Sequence, residues 1–212
     1  YERFLALSTS ATMPNPKGTG KKVRSKEYKE LDAIFKYTKM FDSAIADFFI
    51  EKAEELHITT CFYCELSYIN TYNVVGSSKS TGKRQFDIDH FLPKTKCPII
   101  GLSLFNFVPS CQICNSRIKQ ARALGDKVVE KIKYNPAGKD YCFDENVQIR
   151  LRMNRKPTTS FRAKGDNYLY FRCENGFRKF VDFFHLEERY EFHKKEALRL
   201  LELRAKYPQS TI

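Results

Sequence analysis

The sequence predicts an α+β protein, and three observations lead there. Helical and extended patterns follow one another in blocks, without the strand–helix–strand rhythm of a parallel sheet. Two C-x-x-C pairs, Cys61/Cys64 and Cys111/Cys114, have the spacing of a four-thiolate metal site able to brace a small core. Between them, FDIDHFLPK (86–94) alternates like a strand and gives out at Pro93. The expected organisation is a basic arm over 1–24, helices over 25–57, a metal-braced core over 58–128 and a strand-plus-helix extension packed on it over 129–212.

Each element has its own signal. STSATMPNPKGTGKK (8–22) mixes Pro, Gly, Ser and Lys with no apolar period and reads as a loose arm. Residues 25–57 read as helical, with Phe41, Ile45, Phe48, Phe49, Ala53 and Leu56 forming one core-facing stripe. CFYC follows, then a polar hairpin, GSSKSTGKR, feeding a strand from Arg84 to Asp89. A Pro- and Gly-containing loop runs through PKTKCPIIGLSLFNF. SCQICNSRIKQARAL then predicts a helix, with Ser110 as N-cap and Gly125 just past its end. In the last third, VQIRLRM alternates strictly and YLYFRC is a second strand. The final helix is expected from about Glu187 to Tyr207, with Leu186, Tyr190, Ala197, Leu200 and Leu201 as its stripe. There is no internal repeat.

Charge narrows the class of partner. With 37 Lys and Arg against 25 Asp and Glu, the net charge is +12, which favours a polyanion. A membrane is disfavoured, because no apolar run approaches the ~18–20 residues needed to span a bilayer. The opening YERFLALSTSATMPNP lacks the basic flank and long apolar region of a secretory signal. The seven cysteines are therefore expected to be reduced, in a cytoplasmic protein.

Cys61, Cys64, Cys111 and Cys114 can supply four thiolates to one tetrahedral Zn²⁺. A redox dithiol is the competing reading, but a C-x-x-C of that kind comes once, beside a thioredoxin-like pattern that is absent here. A closed four-thiolate site leaves no position for water, so this zinc is structural. Cys97, Cys142 and Cys173 read as small buried apolar residues.

The chemistry is expected beside that clip. Asp89 and His90 are neighbours at a strand end, so their side chains point to opposite faces. Asn115 directly follows the last Cys, in the first turn of a helix. Asp89 and Asn115 can offer two hard oxygens to Mg²⁺ or Mn²⁺, with water and substrate phosphate completing the sphere. His90, on the other face, is free to take a proton from water near neutral pH. Lys94, Lys96, Arg117 and Lys119 are close in sequence and could hold flanking phosphates. Asp87 shares the face of Asp89, as a supporting group or as a solvated carboxylate. His57, His185 and His193 read as structural. The basic arm from Lys17 to Lys29, and Arg150, Arg152 and Arg172, could meet nucleic acid or simply solvent.

Asp89-His90, then Asn106 in SLFNFVPSC, then Asn115 in CQICNSRIK resemble the HNH endonuclease motif, in the variant whose last letter is Asn. The match runs from Cys61 to about Lys119. CFYCELSYI, the stretch DIDHFLPKTKCPIIGLSLFNFVPSCQICN and the late FFHLEERYEFHKKEALRLL are similar to a bacterial HNH group associated with anti-phage defence. The resemblance implies a ββα-metal core braced by the four-cysteine zinc, with His90 as general base, Asp89 and Asn115 as ligands of the catalytic cation and Asn106 pinning the loop between the strands. It departs in one place: no Gly-Gly turn precedes Asn106. The function implied is metal-dependent hydrolysis of DNA in antiviral defence, with a regulatory ATPase or another defence subunit as a possible partner. The rival expectation is a catalytically silent, zinc-stabilised nucleic-acid-binding or adaptor module.

Overall fold

The computed structural model describes residues 12–13, 23–24, 26–74, 82–95, 97–153 and 167–207. Most of the basic arm and the tip of the polar hairpin lie outside them. The chain forms two compact units, Tyr1–Tyr141 and Cys142–Ile212. Each mixes helices with a short antiparallel sheet, as the blockwise pattern predicts.

In the first unit, β1 (Thr12–Met13) pairs with β2 (Val23–Arg24). The helical region expected over 25–57 is two helices, α1 (Lys26–Ile34) and α2 (Lys39–Glu51). Thr38 breaks the run by adopting an extended backbone, φ −111° and ψ 165°, and its carbonyl starts α2. Tyr37 is thereby released from helical geometry. The apolar stripe is only partly core: Phe49 and Ala53 are buried, whereas Phe48 and Leu56 are exposed.

The first C-x-x-C sits at the tip of a tight loop. Thr60 bridges Tyr68, and Cys61 N–H donates to the Ser67 carbonyl at 2.9 Å. Next, β3 (Thr71–Tyr72) pairs with β4 (Lys83–Arg84), which places the polar hairpin between paired strands. The central pair is β5 (Asp87–His90) with β6 (Phe107–Ser110), antiparallel and in register Asp87↔Ser110, Ile88↔Pro109, Asp89↔Val108 and His90↔Phe107.

The loop joining β5 to β6 is long, and one side chain organises it. Asn106 is buried; its Oδ1 accepts from Leu92 N–H at 2.8 Å. Its Nδ2 donates to the carbonyls of Leu92 and Ile100 at 3.1 and 3.2 Å. A side-chain amide carrying both a donor and an acceptor can satisfy backbone groups of both kinds, which an apolar residue cannot.

After β6 comes α3 (Ile113–Lys119), wound wider than an α-helix: Gln120 N–H bonds the Asn115 carbonyl, five residues back. It ends well before the position that Gly125 suggests. Gln120 takes φ 51°, which stops the helix there, and Gly125 (φ 84°) is a separate left-handed turn. Ser110 belongs to β6 and caps nothing; its hydroxyl is buried without a hydrogen-bond partner. A further helix, α4 (Val128–Lys133), follows. The core of this unit gathers Tyr28, Phe49, Ile58, Tyr63, Ile69 and Phe86 with Phe91, Leu92, Phe107 and Val108.

In the second unit, α5 (Phe143–Asn146) leads into β7 (Val147–Met153), which pairs with β8 (Asn167–Cys173) over seven residues. Alternation decides burial on β8, where Leu169 and Phe171 are inside and Tyr168 is outside. Then come α6 (Arg178–Phe183), α7 (Leu186–Tyr190) and α8 (Lys194–Lys206). The one long final helix of the sequence reading is thus interrupted, by a tight turn at Glu191–His193. Leu186, Phe171, Phe177, Phe180 and Phe184 form the buried cluster, while Leu200 is exposed.

Replacing Asn106 by Ala strands the Leu92 N–H and carbonyl in the interior, while the Ile100 carbonyl keeps its bond from Ser103 N–H. At about 1–3 kcal/mol for each unsatisfied buried group, a loss of roughly 2–6 kcal/mol is expected. Urea denaturation of the purified variant checks it; an unchanged midpoint contradicts the pinning role.

Candidate functional site

The four cysteines of the two pairs converge. Their Sγ atoms lie within 4.8 Å of one another and all four residues are buried. Cys64 and Cys111, one from each pair, are 4.0 Å apart. A tetrahedral zinc with ~2.3 Å bonds has S···S edges of about 3.8 Å, so the sulfurs already have the dimensions of such a site. The set is a buried cluster able to chelate a metal ion, and its chemistry fits structural zinc.

Backbone geometry builds the cluster. Cys64 and Glu65 N–H both return to the Cys61 carbonyl, at 3.2 and 2.8 Å, and Glu65 closes the turn at φ 53°. In the second pair, Cys114 N–H points at Cys111 Sγ at 3.4 Å. Phe62 N–H bonds the Pro109 carbonyl at 3.2 Å, tying the first knuckle to β6. The sulfurs share protons unequally. Hydrogen bonds from Cys114, Cys61 and Cys64 hold the Cys111 thiol far below its ordinary range, and the bond to Cys111 raises Cys114. A thiolate stabilised in this way is the form that binds metal.

Both knuckles also deliver a group to Asp89. Tyr63, inside the first, donates its hydroxyl to Asp89 Oδ2 at 2.6 Å. Lys119, at the end of the helix that leaves the second, places Nζ 2.8 Å from the same oxygen and 2.8 Å from the His90 carbonyl. Asp89 is 5% exposed and Lys119 0%. Burial pushes the Asp89 carboxyl above its usual range, against the downward pull of Lys119 and Tyr63. Lys119 was grouped with the surface cations by sequence proximity. Its full burial turns the ammonium inward and removes it from any set that meets phosphate from outside, because Lys119 follows Asn115 by four residues and both face the strand.

His90 occupies the opposite side of β5, as alternation requires. Its ring is packed edge-on by Tyr37 and Phe107, with centroids 4.7 and 5.0 Å away. Nε2 lies 3.0 Å from the Gly101 carbonyl. A carbonyl only accepts, so Nε2 carries the hydrogen and the lone pair of the neutral ring is on Nδ1. Burial, then the charges of Lys94 and Lys119, lowers the His90 pKa to about 4. Gly101 has no room for a side chain: a Cβ there would meet the Pro98 carbonyl at 3.0 Å.

The remaining expected residues fall around this centre. Asn115 Nδ2 donates to Asp87 Oδ2 at 3.1 Å, and Ser116 Oγ lies 3.5 Å from that oxygen. Asn115 is therefore brought to Asp87. Lys94 is exposed, its Nζ 3.9 Å from the Tyr37 ring centroid, on a cavity of about 200 Å³ that Tyr28, Asp32 and Lys36 also line. Arg117 is exposed on α3. Lys96 lies outside the described residues. Sequence reasoning missed Tyr63, Tyr37 and Gly101. Tyr63 was legible in principle: a residue between two cysteines of one knuckle must point away from the metal, towards whatever the knuckle packs on.

Comparison of the chain with protein-family models, with curated proteins and with solved structures returns no match in any of the three.

The purified protein is expected to contain one zinc per chain by elemental analysis. Cys111→Ser should lose the metal and lower the thermal midpoint of the first unit by 10 °C or more, about the effect of several kcal/mol in a domain of this size. Wild-type stability in a metal-free Cys111→Ser protein would contradict a structural role.

Proposed function

We propose that this chain is an endonuclease of the HNH type that hydrolyses phosphodiester bonds of DNA, with His90 as general base. One observation carries the reading: a neutral imidazole with its Nε2–H held by a backbone carbonyl and its lone pair on Nδ1, set at the end of a hairpin that a four-cysteine cluster braces. The order of β5, long loop, β6 and α3, with Asn106 inside the loop, supports a ββα-type core. The net charge of +12 supports a polyanionic substrate. No helix among the described residues is long and apolar enough to cross a membrane.

In this reading a water is deprotonated by Nδ1 as its oxygen attacks phosphorus. The Gly101 carbonyl stabilises the imidazolium that forms, and the bond to the 3′-oxygen breaks, leaving 5′-phosphate and 3′-hydroxyl ends. Tyr37 and Phe107 hold the ring edge-on so that its plane does not turn away from that path. Lys94 and Arg117 meet the flanking phosphates. A divalent cation, when bound, would supply charge stabilisation at the phosphoryl oxygens. The pair that resemblance assigns to it is Asp89 with Asn115; Asp89 Oδ2 accepts from Lys119 and Tyr63, and the Asn115 amide donates to Asp87. The steps above are accordingly those of the chain's own residues. The defence role and a regulatory ATPase partner rest on the resemblance alone.

A second reading, a catalytically silent zinc-stabilised binding or adaptor module, draws on that same closure of Asp89. The two separate in a plasmid-cleavage assay with Mg²⁺ or Mn²⁺ and a chelator control. The nuclease reading expects cutting that His90→Ala reduces by about 10²–10⁴-fold while DNA binding and zinc content persist. Undiminished cutting by that variant removes His90 from the mechanism.

The pH profile gives an independent check. The base works only when neutral, so activity is present above its pKa and lost as pH falls through it. A histidine at the ordinary value of about 6.5 would be roughly nine-tenths protonated at pH 5.5. His90, lowered to about 4, stays neutral there. Single-turnover cleavage should therefore change less than about threefold between pH 7 and pH 5.5; a fall of about eightfold, that of an ordinary histidine, contradicts the buried imidazole.

A further inference from the structure

We propose that the cavity beside His90, lined by Tyr37 and Phe35, receives one unpaired nucleobase, so that the preferred substrate is single-stranded DNA or a duplex with an extruded base. The inference rests on the nuclease reading, which puts the scissile phosphate at His90, and deepens it by naming the form of the DNA.

One side of α1 and the segment after Pro93 build the cavity. Tyr28, Asp32 and Phe35 recur at steps of four and three and share a helical face. Phe35 N–H still bonds the Leu31 carbonyl at 2.9 Å, so that face continues past Ile34. The Tyr28 hydroxyl donates to the Thr95 carbonyl at 2.8 Å and fastens the opposite wall to the helix. Cys97 N–H returns to the Pro93 carbonyl at 3.0 Å, and Pro98 beyond it is buried. The walls are therefore held by the chain's own hydrogen bonds. The volume, about 200 Å³, falls below the ~300–1,000 Å³ that a drug-sized ligand takes, which suits one planar ring system.

The lining has the chemistry of a nucleotide site. Tyr37 is half-buried, and burial followed by a hydrogen bond to Asp42 raises its phenol above the ordinary range. A hydroxyl held in that way fixes the plane of the ring. Lys94 Nζ lies 3.9 Å from the Tyr37 ring centroid, and Lys94 is exposed. A base stacking on that face displaces the ammonium, because stacking is the stronger contact, and frees it for phosphate. Lys36, also exposed, adds a second cation at the lining. Asp32 is half-buried, and its carboxylate can accept an N–H from the Watson–Crick edge of a base. An apolar side chain would leave two ammoniums and a carboxylate unused, and a bare phosphate would leave the aromatic walls unused. A nucleotide uses all of them.

Position ties the cavity to the reaction. The Tyr37 and His90 rings are 4.7 Å apart between centroids, so a base on Tyr37 carries its own phosphate towards His90. In a paired duplex both faces of each base and its Watson–Crick edge are occupied, and such a base enters only after leaving the stack.

Fluorescence anisotropy of the zinc-loaded full chain, without added divalent cation, tests this apart from catalysis. The probes are a short oligodeoxycytidylate and an abasic strand of the same length and charge. Stacking one base is worth about fivefold to over a hundredfold in affinity, so wild type should bind the base-bearing strand at least fivefold tighter. Tyr37→Leu should bring that ratio within twofold of one, and Tyr37→Phe should keep it. Thr95→Leu, which fills the cavity and leaves Tyr37 in place, should also lower it. With Mg²⁺ or Mn²⁺ added, a duplex carrying one unpaired nucleotide should be cut at least fivefold faster than a fully paired one. Equal affinity for the two strands in wild type, or a wild-type ratio in both Tyr37→Leu and Thr95→Leu with zinc retained, overturns the inference. Cleavage that depends on His90 but is indifferent to pairing overturns it too and leaves the nuclease reading standing. Base-dependent binding through Tyr37 with no DNA cut supports the nucleobase site and rejects the nuclease reading.

Discussion

Four sulfur atoms within 4.8 Å of one another join two stretches of chain whose nearest cysteines, Cys64 and Cys111, are 47 positions apart in sequence. A structural zinc in such a site contributes about 10–16 kcal/mol in isolated small motifs, comparable with the whole stability of an ordinary domain. The first unit is built around that junction. Its sheets are two- and four-residue ladders, and none of them spans the unit. What a large sheet does elsewhere falls here to the four-cysteine cluster.

From the clip the constraint passes outward through two side chains. Tyr63 carries it from the first knuckle and Lys119 from the helix after the second, and both end on Asp89. Breaking a buried ion pair by removing one partner costs about 3–5 kcal/mol, so Asp89 is fixed in place by its two partners. His90 is next in the chain and inherits that rigidity on the other face of the strand. There the Gly101 carbonyl, with no side chain to crowd it, fixes which nitrogen keeps its proton. Cysteine cluster, ion pair and imidazole thus form one continuous mechanical path of a few residues.

How much of this the sequence carried differs by element. The four-cysteine cluster was legible because metal-ligand spacing is a local property and the two knuckles are short. The first strand of the central hairpin was legible from alternation, although it runs Asp87–His90 rather than Arg84 to Asp89, and its pairing with Phe107–Ser110 was implied by the resemblance alone. Helix lengths were overestimated at two places, Gln120 and Glu191–His193, because apolar spacing continues through residues whose backbone leaves the helix. The environment of Asp89 was not legible at all. That Lys119 would lie fully inside depends on the depth of α3 against β5, a tertiary quantity that no local pattern reports. Ranking Asp89 above Asp87 as a ligand followed from its place beside His90, and burial reverses the order of their accessibility.

If the cysteine cluster sets the state of His90 at a distance, nitrogen-15 resonances of the His90 ring report it directly. In the zinc-loaded protein at pH 6.5 they are expected to show a neutral ring protonated at Nε2, with titration only near pH 4. After zinc is stripped they should move to the tautomer mixture of an exposed histidine titrating near 6.5. A His90 spectrum that is the same with and without zinc would contradict the account.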